Sequence, residues 1–147
     1  MMRTPIRRTE IFRPIIQQMT RRHRVKVKRW RSNMSGCAWS VRHSDGRRIN
    51  WIEAPFPKTP ISLAVFLHEI GHHAIGFDKY ERGCEEEYHV WMWAVATMRK
   101  LGIEPDARVL RRVEMSMRYA VEKAARHGMT QFPLALQAYA PTLPQAA

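Results

Sequence analysis

The chain has 147 residues, 45% of them apolar and 10% aromatic, which is enough for one domain with an ordinary core and short for two. Lys and Arg number 25 against 13 Asp and Glu, a formal charge of +12, and the two Cys exclude a disulfide framework. No apolar run approaches the about 18 residues that cross a bilayer, and none follows the basic N-terminus as in a secretory signal, so a cytoplasmic protein without membrane contact is expected.

The charge is concentrated. Residues 1–31 hold eleven Lys/Arg and one acid, Glu10, a net +10, and the other 116 residues carry only +2. This basic N-terminal segment reads either as a solvated arm or as a contact for nucleic acid or another polyanion. Trp30, between Arg29 and Arg31, is placed to stack on a base.

Along the chain, residues 9–20 read as a short helix with Pro14 at its start or at a kink. VKVKRW at 25–30 alternates apolar and basic, the pattern of a strand with one wet face. After a turn at 32–36, CAWSVR at 37–42 and RINWIEA at 48–54 form two strands joined through Asp45-Gly46, a strong hairpin signal. Three prolines in 54–60 end the strands. Thr59-Pro60 then reads as an N-cap followed by proline in the first turn of a helix over 61–77, so apolar on most faces that it belongs in the core. Helices follow at about 85–101 and 106–127, the second with Leu110, Val113, Met117, Ala120 and Ala124 on one side and Gly128 as its stop. The expected fold is α+β, a small antiparallel β-meander packed on the apolar helix and further helices. Residues 32–129 form the domain, with a Pro-containing C-terminal tail at 130–147.

The apolar helix contains His68-Glu69-Ile70-Gly71-His72. Positions i and i+4 share a helix face, so two imidazoles one turn apart can approach one cation together. Glu69 is rotated by about 100° from His68, which lets it flank a metal and accept a proton from water without ligating. Buried ionisable groups need partners or a metal, and the neighbours here, from Ala64 to Ile75, are mostly apolar. Catalytic zinc usually takes a third protein ligand. Position 78, where an extended motif would put a third His, is Asp. Cys84-Glu85-Glu86-Glu87, opening the next helix, supplies the candidates. Glu87 leads the stripe Trp91, Ala94, Met98 and Leu101, while Glu86 lines up with Val90 and Trp93; spacing slightly favours Glu87, and acids at a helix start also complement its dipole. Cys84 is a possible thiolate ligand that would block the metal, although a lone Cys is more often packing. His73, on another face, is expected to support or lie at the surface. His89, Tyr80 and Tyr88 are candidates for orienting a ligand or stabilising an oxyanion.

LHEIGHHAIGF followed by CEEEYHVWMWAVATM resembles the ImmA/IrrE metallopeptidases, small gluzincins with HExxH and then a Glu-x-x-Ala-x-x-Phe-Ala helix. The resemblance covers about residues 36–101. Matching Trp93-Ala94 to the Phe-Ala pair implies Glu87 as the third zinc ligand beside His68 and His72. Val90 stands where the family usually has Ala, and Met98 is followed by Arg99 where Leu-Met-Pro is usual, departures that leave room for a phage or mobile-element relative with a different target. The resemblance implies a minimal zincin fold, a Zn2+ cofactor, and a protein substrate, often a DNA-binding repressor cleaved at one site.

The expected activity is that of a zinc-dependent endopeptidase with Glu69 as the catalytic base, its substrate pairing with strand 48–54 by β-addition. The alternative is a non-catalytic zinc-containing module that binds nucleic acid or a regulatory partner through residues 1–31. A third reading is a peptidase recruited to DNA.

Overall fold

β3 (Arg48–Pro55) is the most deeply buried strand, with Ile52 and Ala54 fully inaccessible, and it lies at the centre of the sheet. β2 (Cys37–Arg42) pairs with it antiparallel through the expected hairpin, where Gly46 takes a left-handed φ of 87° and its N–H donates to the His43 carbonyl at 2.9 Å. β1 (Val25–Arg31) pairs with its other edge in parallel, giving the order β1-β3-β2. The sheet is therefore mixed, and the expected antiparallel meander is corrected. Residues 32–36 leave β1 and return in β2 two strand spacings away, a gap of roughly 10 Å that five residues span easily. The physical reason lies in composition. β1 carries Lys26 and Lys28 and is suited only to an edge, while β3 can be apolar on its helix-facing side and take a neighbour on each flank.

The computed structural model describes residues 8–140, a mixed α+β fold of five helices and this three-stranded sheet. α1 (Arg8–His23) buries Phe12, Ile15 and Met19, spaced three and four apart on one face, and carries Pro14 inside the helix on its exposed side. Val25 of β1 joins the same core. Residues 8–31 are thus woven into the domain rather than forming a detached arm, and the packing shows no boundary at residue 31. Residues 1–7 and 141–147, the outer ends of the expected basic segment and tail, lie outside the described residues.

α2 (Pro60–Ile75) starts as its sequence dictates. The Thr59 hydroxyl accepts the Ser62 N–H at 3.4 Å and the Ser62 hydroxyl accepts the Thr59 N–H at 3.0 Å, a reciprocal capping box with Pro60 in the first turn. Every residue from Ile61 to Gly71 is buried. Side chains such as Leu63, Phe66, Leu67 and Ile70 each contribute about 1.5–3 kcal/mol by leaving water. α3 (Gly83–Lys100) crosses α2 closely at Gly71, where a Cβ would lie 3.0 Å from the Trp93 ring and 3.1 Å from Val90. α4 (Ala107–Arg126) is capped by the Asp106 carboxylate, which accepts the Val109 N–H at 3.0 Å. Its buried stripe is Val109, Val113, Met117 and Val121, with Ala120 and Ala124 packed beside it; Leu110, expected to face inward, is half exposed because Val109 takes the inward position in the first turn. α5 (Leu134–Gln137) packs Leu136 into the core, so the start of the Pro-containing tail belongs to the domain. Among the described residues no helix is long and apolar enough to cross a membrane.

Candidate metal centre

α2 and α3 bring His68, His72 and Glu87 together. One helical turn separates the two imidazoles, whose Nε2 atoms stand 3.2 Å apart. The Glu87 carboxylate straddles them, with Oε2 at 3.3 Å from the His68 Nε2 and Oε1 at 3.2 Å from the His72 Nε2. These three residues could hold a metal ion. Their separations fit one: two nitrogens bound tetrahedrally at 2.0–2.1 Å from zinc lie about 3.3 Å apart. The donor chemistry fits as well. Both Nε2 atoms face the same carboxylate and each other, and a cation satisfies two imidazole lone pairs and two carboxylate oxygens together. His68 is held by the Trp91 ring, 4.1 Å away centroid to centroid, and the His72 ring stacks with Phe77 at 6.0 Å.

The electrostatics follow from burial. Burial opposes a charged Glu87, but its hydrogen bonds with His68 and His72 win and hold the carboxyl down to about 2. Burial lowers the pKa of His68, which has little else to offset it than Glu87. For His72 burial acts in the same direction, yet Glu87, Glu69 and Glu86 together overcome it and its pKa is raised. Glu69 points to the same space from the neighbouring position, with Oε1 4.0 Å from the His68 Nε2. Burial pushes its carboxyl up to about 7.

The sequence candidates divide clearly. Glu86 does not join the three but sits behind His72, with Oε2 3.9 Å from the Nδ1 atom. Cys84 is buried away from the group, its thiol against the Met129 sulfur at 3.8 Å. His73 turns towards the sheet, its Nε2 2.9 Å from the Trp51 carbonyl oxygen. His89 stacks on Tyr80 at 4.3 Å with Tyr88 edge-on beside it, and Glu85 is not part of the group.

Other neighbours carried no motif. Gly36 lies against the Glu69 side chain so closely that a Cβ there would be 2.8 Å from Glu69 Cγ and 2.6 Å from the Glu53 carbonyl oxygen. Arg31 fixes this turn by donating to Ser35 at 3.0 Å and to the Cys37 sulfur at 3.3 Å. Arg112 of α4 holds it from the far side, donating to the Met34 carbonyl at 2.6 Å. Only the glycine before a strand hinted at this contact in the sequence. The group opens on a cleft of about 950 Å³ walled by Gly36–Ala38 on one side and by Arg112, Met115 and Tyr119 of α4 on the other.

No protein-family model matches the chain, and comparisons with curated proteins and with solved structures return no significant match.

Proposed function

We propose that the chain is a zinc-dependent endopeptidase of the gluzincin kind, resembling the ImmA/IrrE enzymes, with His68, His72 and Glu87 as zinc ligands and Glu69 as the catalytic base. The observation that carries the reading is the convergence of two Nε2 atoms and one carboxylate, with a second, separately buried carboxylate alongside, on the floor of an open cleft. Zinc bound there would supply Lewis acidity, lowering the pKa of an attacking water towards about 7 and polarising the peptide carbonyl. Glu69 takes the proton of that water as its oxygen bonds to the carbonyl carbon. When the C–N bond breaks, Glu69 returns the proton to the departing amine nitrogen. Burial beside the ligands keeps the Glu69 carboxylate within reach of that water and away from bulk solvent. Glu86, 3.9 Å behind His72, acts on that ring through its charge and not through a hydrogen bond.

A protein substrate enters as an extended strand. β3, the strand expected to pair with it, is central and has no free edge; β2 has one, and its first residues line the cleft. Substrate addition is therefore assigned to β2. The decisive variant is Glu69→Gln, which removes the proton acceptor and keeps the shape. Zinc content and melting behaviour should match the parent, while cleavage of a proteome-derived peptide library, read by mass spectrometry, should disappear. Undiminished cleavage by that variant would refute the mechanism.

A further inference from the structure

The sheet has two faces, and the helices use one. Val25, Val27, Ala38, Ile52 and Ala54 point into the core. Successive strand residues point to opposite sides, so Lys26, Trp39, Val41, Ile49 and Trp51 point away from it, and the bulge after Val27 turns Lys28 outward as well. None of these six belongs to the core or packs against it. Trp39 and Trp51 are directly opposite each other across the β2–β3 pair, which puts both residues at the middle of the face. The ammonium groups of Lys26 and Lys28 reach over the Trp51 ring, at 6.0 and 5.0 Å from its centroid.

The charge around this face has one sign. Residues 24–55 hold eight Lys/Arg and two acids, a net +6. Both acids are already engaged, Glu53 with Arg29 and Arg31, and Asp45 with Arg47. Arg24, Lys26, Lys28, Arg42 and Arg48 have no acidic partner within 4.0 Å among the described residues. Trp30, which the sequence singled out for stacking, belongs to the other side of the sheet, beside Phe56 and Phe66 at 5.0 and 5.9 Å, and is 36% exposed there.

We propose that the outer face of the sheet binds single-stranded nucleic acid, with about two bases stacked on Trp39 and Trp51 and the phosphates following Lys26, Lys28 and Arg24. Two requirements select this occupant. Lys26 and Lys28 on the face and Arg24 just before β1 are uncommitted cations that call for a polyanion, and two tryptophans on the same face give unstacked bases a surface that an acidic peptide has no means to use. A duplex is disfavoured because its bases are stacked inside and a flat sheet offers nothing that enters a groove. Lysine stems are flexible enough to lift from the indole and track a phosphate. The face lies apart from the cleft residues of α2, α3 and α4, so the inference stands whether or not the peptidase reading does.

The test uses the full chain, a short labelled oligothymidine and the matching oligouridine, read by anisotropy and by quenching of tryptophan emission. Binding at low salt with quenching is expected, and affinity should fall with salt at a slope of about −3 in log K against log salt for some four phosphates. The Lys26→Gln/Lys28→Gln variant should weaken binding roughly tenfold and flatten that slope. Trp39→Thr should weaken it about five- to a hundredfold and lose most of the quenching; the Lys variant, whose side chains are exposed and outside the core, keeps the proposal testable if the Trp variant misfolds. Glu69→Gln should bind like the parent. Absence of binding at low salt overturns the proposal. So does equal binding of a duplex or of polyglutamate without quenching, and so does a dimer in sedimentation that Trp39→Thr dissolves, which would assign the face to a second copy of the chain.

Discussion

Gly36 offers a perturbation whose outcome can be worked from distances. It is half-buried between two elements that do not move independently, the β3 backbone at Glu53 and the Glu69 side chain on α2. A methyl group added there meets a carbonyl oxygen at 2.6 Å and Glu69 Cγ at 2.8 Å, each well inside contact distance. The carbonyl is fixed by the sheet, so relief comes from backing the 32–36 turn away and rotating Glu69 about its χ angles. Inserting one methyl group against two such contacts costs about 1–3 kcal/mol. In a chain of 147 residues this is a fall in melting temperature of roughly 3–10 °C. His68, His72 and Glu87 are carried by α2 and α3 and do not touch Gly36, so zinc affinity should stay within about threefold of the parent while cleavage falls by about tenfold or more through the displaced Glu69. Gly46→Ala is the control, since nothing lies within 4 Å of it and its only penalty is the left-handed φ of 87°; it should cost about 1–2 kcal/mol and leave cleavage untouched. The measurements are differential scanning calorimetry, zinc titration with a competing chelator, and the peptide-library digest. A Gly36→Ala protein with parental stability and parental cleavage would refute the claim that this turn positions Glu69.

Replacing Glu87 by Gln should reduce zinc affinity by more than about a hundredfold, whereas Glu86→Gln, which alters only the carboxylate behind His72, should cost about tenfold; competitive zinc titration separates them, and the reverse order would move the ligand by one residue. Stripping zinc with a chelator should lower the melting temperature reversibly, because ligand at a hundred times its Kd adds about 2.7 kcal/mol to the folded state; an unchanged melting temperature would argue against metal binding at the three residues. Thr59→Ala should cost about 1 kcal/mol in urea denaturation through loss of the capping box, with zinc affinity unaffected because the cap lies more than two turns from His68.

The helices were legible in the sequence wherever a stop signal and a buried stripe coincided. Thr59-Pro60 and Gly76 frame α2, and Asp106 and Gly128 frame α4, because caps and left-handed glycines act within a single turn. The i, i+4 spacing brings His68 and His72 together on its own, and the stripe through Glu87 carries the third residue to the same point. The sheet order was not legible. Asp45-Gly46 specifies the local β2–β3 hairpin, but the parallel pairing of β1 with β3 depends on a contact between Val25 and Asn50 that no local signal encodes. The anchoring of residues 8–31 was hidden for a related reason: charge counts ignore parity, and Phe12, Ile15, Met19 and Val25 are the minority positions that hold this stretch in the core. The same parity explains why Trp30 was favoured over Trp39 and Trp51. Sequence neighbours suggested basic flanks for Trp30, while the sheet carries Lys26 and Lys28 to Trp51 instead.

The parallel β1–β3 pairing also sets a constraint on birth order. A chain emerging from its N-terminus produces Val25 first, and Val25 has no ladder partner until Asn50 has been made. During that interval β1 is an unpaired strand, the kind of segment that joins the wrong neighbour in a crowded cell. Its alternate lysines and closing arginines then act as gatekeepers, because strands bearing like charge repel one another side by side. Once β3 arrives, Glu53 receives Arg29 and Arg31, and the repulsion that kept the strand single becomes part of the attraction that seats it.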